Sequence, residues 1–356
     1  MSHTTAMVEI PPFYTILFLL AATFVYTALS NLARTKPVQV KPPATPAVIA
    51  MAVGYGPPAF RNFVGTLRST GYRGLIILGI NKVPGDLGRN VRLEMISSGS
   101  NQELFRYQWY RDMLTNVTHA LLTDFRDVYF QDNPFRVLPR GLQLFGEHHS
   151  TNIGLSNHNT WWIEKCWGRL YTLGDHWFNV TSYCSGTICG EREALLPFLA
   201  QMVDTIRWMQ RERCTFKGSD QGALNYLVYS NALPYATLVP YRTGLVNTVG
   251  AEGSIIRDRH TDGNVRRPFS TIPGQWLDPT YGLTDKHGRF TNLDGSISPV
   301  VHQYDRYGRR FPLAQQIGIY MYQPRSLSLS SPPESGSSDG PSSPPPPPPY
   351  GTKPAA

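Results

Sequence analysis

The residues best suited to chemistry lie in ALLTDFRDVYF, positions 120–130, where an apolar run ends in two acids, Asp124 and Asp127. An ionised carboxylate at the end of a buried strand is costly unless it has a partner. A hard divalent cation is such a partner, and the cation can in turn hold a diphosphate. The competing reading is a surface turn in which Arg126 neutralises the acids. Residues three apart on a strand face opposite sides. Both acids therefore reach one ion only if the backbone turns between them.

Other candidates are scattered along the chain. His302 ends the short apolar run Val300-Val301 and is either a ligand or an ordinary buried imidazole. Mn²⁺ accepts oxygen and imidazole together, whereas Mg²⁺ prefers oxygen alone. Asp220 and Gln221 stand where a helix begins, so Asp220 can cap that helix, contact a substrate hydroxyl, or do both. Arg106 precedes the acidic strand and suits a diphosphate or a surface ion pair. Trp161 and Trp162 can stack on a sugar face, although large aromatics at a helix start are more often core.

Alternating elements must position these groups. Residues 46–53 are a short apolar strand followed by a Gly/Pro turn, and residues 59–69 carry helical spacing at Phe60, Phe63 and Leu67, closed by Gly71. Leu75–Leu78 is a second strand, which completes a βαβ unit and implies a parallel sheet. Residues 102–115 read as a helix leading into the acidic strand. Residues 191–212 form the longest helix, with Leu195, Leu199, Met202, Ile206 and Met209 on one face. The class is α/β with an open sheet, because the later half loses regular alternation. In such sheets ligands bind beyond the carboxyl ends of the strands.

LLTDFRDVYFQDNPF, running to Pro134-Phe135, resembles the acidic-motif region of nucleotide-diphospho-sugar glycosyltransferases of the GT-A fold. Three further runs appear in the order that family shows: Cys184-Ser185-Gly186, Gly218-Ser-Asp220-Gln221 with Asn225 downstream, and PVVHQYDR at 299–306. The resemblance covers about residues 46–310. The family's usual motif has one residue between the acids and this chain has two. Counted back from Pro134, Asp127 matches the second acid and is the firmer metal ligand, while Asp124 suits ribose or metal-bound water. The resemblance implies one large Rossmann-like domain with a GT-A-like open mixed sheet flanked by helices. It implies Mn²⁺ (or Mg²⁺) at Asp127, His302 and Asp124, and a nucleotide diphospho-sugar, UDP-linked by expectation, near Asp124, Asp127, Arg106, Ser185 and Gly186. Asp220 and Gln221 would face the sugar or a glycan or glycoprotein acceptor. Leu-Thr-Asp124-Phe also resembles the start of haloacid-dehalogenase-type phosphatases, but Arg126 stands where their second acid belongs and no Gly-Thr follows. The alternative from another class is a non-catalytic nucleotide-sugar or glycan-binding protein on the same fold.

The chain ends differ from the middle. Residues 1–9 are a short tail, and residues 10–33 carry no charge and are long enough to span a bilayer, as a signal-anchor or a cleaved signal. Residues 34–45 then link to a domain over 46–324. Residues 325–356 hold ten of the 30 prolines, six of them consecutive, and should be a disordered tail. Arg34, Lys36 and Lys41 after the anchor favour a cytosolic domain. The resemblance implies the opposite, a single-pass Golgi protein with a lumenal domain. Sequons at Asn116 and Asn179 would be usable there, and Cys166, Cys184, Cys189 and Cys214 would either pair or remain thiols. Lys+Arg 33 against Asp+Glu 25 is basic, yet no long Lys/Arg run exists, so nucleic acid is not an expected partner.

Overall fold

The computed structural model describes residues 45–97, 102–251, 285 and 289–307. The expected anchor at 10–33, nearly all of the linker and the tail at 325–356 lie outside those residues. Among the described residues no helix is long and apolar enough to cross a membrane.

Strand β1 (Pro46–Met51), helix α1 (Pro57–Ser69) and strand β2 (Leu75–Ile80) form the expected βαβ unit, with β1 and β2 parallel in register Ala47 to Leu75. Helix α1 starts on two prolines, whose fixed φ suits a first turn. Its inner face is Phe60, Phe63, Val64 and Leu67, and Gly71 at φ +84° turns the chain out of it. After β3 (Val91–Met95) come α2 (Gln102–Met113), β4 (His119–Thr123), β5 (Val128–Phe130) and β6 (Leu142–Gly146). Next are α3 (Asn157–Trp167), the short α4 (Leu170–Leu173) and β7 (Tyr183–Glu191). The rest is α5 (Arg192–Arg211), α6 (Ser219–Tyr229), β8 (Ala236–Val239), β9 (Val246–Thr248) and β10 (Val300–His302).

Seven strands form one mixed sheet in the order β3-β2-β1-β4-β7-β6-β8, and β5-β10-β9 form a small second sheet. Strand β7 alone runs against its neighbours β4 and β6. That reversal, with the second sheet, is the irregularity of the later half. The five inner strands β2, β1, β4, β7 and β6 are buried on both faces, as strands under helices must be, while the edge strands β3 and β8 are partly exposed. Ala47, Ile49, Ala120 and Leu122 pack with α2, α5 and α6, whereas Val48, Ala50, Ile76 and Leu121 pack with α1 and the small sheet. The expected face of α5 is buried at all five named positions.

Candidate metal centre

Between β4 and β5 the chain leaves the large sheet and enters the small one through Asp124-Phe125-Arg126-Asp127. This turn is the bend that the spacing of the acids required. The Asp124 N–H still donates to the Gly186 carbonyl at 2.7 Å, as an extension of the β4–β7 pairing. From the other side, β10 delivers His302. Its Nε2 lies 3.3 Å from Asp124 Oδ2 and 3.9 Å from Asp127 Oδ1, and one ligand atom from each residue lies within 4.8 Å of the others. A cation bound at about 2.0–2.6 Å to each ligand requires ligand atoms no more than about 5 Å apart. The three side chains meet that condition.

The surroundings fit a divalent ion. His302 is fully buried, and its Nε2 has no hydrogen-bond partner. Its Nδ1 lies 3.4 Å from Cys184 Sγ and 3.5 Å from Thr248 Oγ1. The neutral Nδ1–H tautomer, the form that a cation displacing the Nε2 proton would require, satisfies that side and offers the Nε2 lone pair on the side of the carboxylates. Gly186 leaves the necessary room, since a Cβ there would stand 2.5 Å from His302 Cε1 and 2.6 Å from Asp124 Oδ2. The donor set of two carboxylates and one imidazole could hold a metal ion.

Electrostatics separate the two acids. Burial opposes ionisation of both, but Arg106 and His302 overcome it at Asp124 and hold that carboxyl well below the usual range. At Asp127 burial prevails, reinforced by Asp124 and Asp305, and the carboxyl is raised. Burial lowers the His302 imidazole, yet Cys184 at Nδ1 together with the Asp124 and Asp127 carboxylates outweighs it and holds its pKa above the ordinary value. Burial raises the Cys184 thiol, which keeps it neutral. Part of the surface-turn reading also holds, because Arg126 lies 3.4 Å from Asp127 Oδ2 and 2.9 Å from Asp305 Oδ2. It occupies the carboxylate oxygen that faces away from His302.

Arg106 joins Asp124, one of the three candidate ligands, to Asp220. One guanidinium nitrogen donates to Asp124, and the other donates to Asp220 Oδ2 at 2.5 Å and to the Ser185 carbonyl at 3.0 Å. Its charge is therefore shared between two carboxylates. The Tyr107 hydroxyl also donates to Asp220 Oδ2, at 3.0 Å. Helix α2 holds both donors over the end of β4, tied there by the Tyr110 hydroxyl on the Thr123 carbonyl. Asp220 is not the helix cap that it resembled in sequence. Gly218, at φ +81°, occupies that position, and the Asp220 carboxylate turns inward. Removing one partner of such a buried pair costs about 3–5 kcal/mol.

Gln221 points elsewhere, its amide donating to Asn159 Oδ1 at 3.1 Å and lying 3.4 Å from Glu147 Oε2. Asn225 docks α6 on β7, accepting from the Tyr183 N–H and donating to the Tyr183 carbonyl. Of the sequence-derived residues, Asp124, Asp127, His302, Arg106, Ser185, Gly186 and Asp220 form one contiguous cluster, with Gln221 beside it. Glu147, Tyr107 and Thr248 were missed. Glu147 had a signal, since it is a charge at the end of the buried strand β6. Cys166 and Cys214 form a disulfide, with Cα atoms 5.4 Å apart, while Cys184 and Cys189 are buried free thiols. One pairing thus replaces the two that four cysteines allow.

No protein-family model matches this chain, and no curated protein matches it.

Proposed function

We propose that this chain is a metal-dependent glycosyltransferase that moves a sugar from a nucleotide diphospho-sugar, UDP-linked by expectation, to a glycan or glycoprotein acceptor. The observation that carries this reading is the convergence of Asp124, Asp127 and His302 at the carboxyl end of β4. That edge is where open α/β sheets bind ligands. The strand order, with β7 alone reversed, supports the GT-A likeness of the sequence motifs.

A divalent cation held by these three side chains would supply positive charge opposite the departing diphosphate, a contribution of several kcal/mol. Arg106 fixes Asp124 and Asp220 relative to one another, so the metal side and the sugar side of the site share one buried ion-pair network. Asp220 Oδ2 is occupied by Arg106 and Tyr107, which leaves Oδ1 for a substrate hydroxyl. In the transfer, the bond from the anomeric carbon to the diphosphate oxygen breaks and a bond to the acceptor oxygen forms. The hydroxyl proton passes to the Asp220 carboxylate and then to solvent. Holding the groups in this arrangement is most of the catalysis.

The wide spacing of the two acids was the argument for a non-catalytic binder; the turn at 124–127, which brings both acids to one place, supports the catalytic reading. A secretory, Golgi-type location with the domain in the lumen is part of the proposal. The Cys166–Cys214 disulfide and the exposed side chains of Asn116 and Asn179 support it. Incubating the full chain with Mn²⁺ and a panel of nucleotide diphospho-sugars should release nucleotide diphosphate from one of them. Release from none would sink the proposal.

A further inference from the structure

We propose that Cys184 is a positioning residue of the candidate metal centre, whose sulfur accepts the His302 Nδ1–H and holds the imidazole with Nε2 toward Asp124 and Asp127. This inference rests on the metal-binding part of the reading above and not on the identity of the donor or acceptor. His302 is the ligand that most needs such a hold. It is fully buried, its Nε2 has no hydrogen-bond partner, and carboxylate oxygens lie 3.3 and 3.9 Å from that nitrogen. A neutral imidazole binds a cation through one nitrogen when its proton sits on the other. A partner for that proton then fixes both the tautomer and the ring orientation.

Two side chains face Nδ1, with Cys184 Sγ at 3.4 Å and Thr248 Oγ1 at 3.5 Å. For an oxygen acceptor that separation lies beyond the ordinary range of about 2.7–3.2 Å. Sulfur is larger, so the Cys184 contact is at hydrogen-bonding length and Thr248 is the lesser partner. Thr248 stands opposite His302 in the β9–β10 pairing, within the small sheet. Cys184 belongs to β7 of the large sheet, the strand whose Gly186 carbonyl receives the Asp124 N–H. Residues two apart on a strand share a face. Gly186 therefore makes room for the imidazole, and Cys184 braces it from the same side of β7.

The same strand carries a comparison. Cys189 is also a buried free thiol, but it is paired with Leu121 and packs in the apolar cluster that includes Phe60, Phe63 and Phe145. A buried cysteine ordinarily behaves as such a small apolar group. Cys184 meets the second nitrogen of a buried ligand instead. Its sulfur is a weak acceptor, which serine can replace and alanine or valine cannot.

Mn²⁺ titration followed by electron paramagnetic resonance should be run on the full chain and on its Cys184→Ala, Cys184→Val, Cys184→Ser, Thr248→Val and Cys189→Ala variants. Thermal unfolding of each confirms the fold, and Cys184→Val keeps the side-chain bulk should Cys184→Ala collapse. Expected is binding about tenfold or more weaker in Cys184→Ala and Cys184→Val, with a smaller loss in Thr248→Val. Cys184→Ser should stay within a few-fold of the wild type, and Cys189→Ala should match it. Proton–nitrogen NMR correlations of isotope-labelled histidine, with diamagnetic Zn²⁺ bound, show which ring nitrogen carries the proton. The His302 signals, assigned by their loss in His302→Ala, should place it on Nδ1 in the wild type and in Cys184→Ser, with the Nδ1 resonance displaced in Cys184→Ala. Wild-type affinity in Cys184→Ala and Cys184→Val, an equal loss in Cys189→Ala, or an unmoved Nδ1 resonance overturns the positioning role. A larger loss in Thr248→Val than in Cys184→Ala overturns it in favour of Thr248. A wild type that binds no Mn²⁺ removes the metal centre and this role together, whereas Mn²⁺ binding that ignores Cys184 removes this role alone.

Discussion

Asp127 and His302 meet because the strands that carry them are paired. His302 lies opposite Val128 in the antiparallel β10–β5 register, and the Gln303 N–H donates to the Asp127 carbonyl at 2.7 Å. The 3.9 Å between Asp127 Oδ1 and His302 Nε2 is therefore fixed by sheet pairing, on both sides of the same hydrogen-bonded step. A ligand set built on paired strands is held more accurately than one built on loops.

Gly186 is the tightest steric constraint on that geometry. Gly186→Ala would put a methyl group into His302 and Asp124 at once. Mn²⁺ affinity should fall about tenfold or more, by analogy with changes next to other metal ligands. Isothermal titration of the purified variant measures it, and an unchanged affinity would mean that the ligands do not close on one ion.

Asp220→Asn should lower kcat about tenfold or more while donor KM changes little, because the proposed transfer uses Asp220 on the sugar side through Oδ1. Steady-state kinetics on the donor that supports turnover checks this. A selective rise in KM, with kcat preserved, would move Asp220 to donor binding instead.

The sequence disclosed the βαβ start, the inner face of α5 and the acid pair, since each depends on residues close together in the chain. It also disclosed His302 through the resemblance of its surrounding run. It did not disclose what depends on distant pairing. That Asp220 would be claimed by Arg106 and Tyr107 rather than cap its own helix follows from α2 crossing the end of β4. The choice of Cys214 as partner for Cys166, and the contacts of Thr248 and Cys184 with the second nitrogen of His302, likewise need the assembled fold.

His148 makes stability fall with acid. Burial, with help from His149 and Arg242, lowers its pKa to about 3. The Ser150 N–H donates to His148 Nδ1, which must keep its lone pair for that bond. The unfolded chain takes up this proton near pH 6.5 and the folded chain does not. The contribution is complete above that pH and is lost progressively between about 6.5 and 3, with a ceiling of about 5 kcal/mol. Urea unfolding at pH 7 and pH 5 should show a smaller loss in His148→Asn than in the wild type. Equal losses would mean that His148 charges freely in the fold.

Opening the Cys166–Cys214 disulfide releases α3 from the loop that leads to Asp220. A closed loop with a sequence separation of 48 corresponds to about 4 kcal/mol in the chain-entropy model. Cys166→Ser with Cys214→Ser should lower stability by up to that amount, and dithiothreitol should do the same to the wild type alone. A reductant effect that persists in the double variant would assign the loss to another cause.

The candidate metal centre is the point on which the proposed transfer depends, and Mn²⁺ titration followed by electron paramagnetic resonance addresses it without a donor or an acceptor. The wild type should take up one Mn²⁺ per chain, and Asp127→Asn and His302→Ala should each bind it about 100-fold or more weakly, with unfolding curves that confirm intact folds. Undiminished Mn²⁺ binding in both variants, or no binding by the wild type, would contradict a shared ion at Asp124, Asp127 and His302.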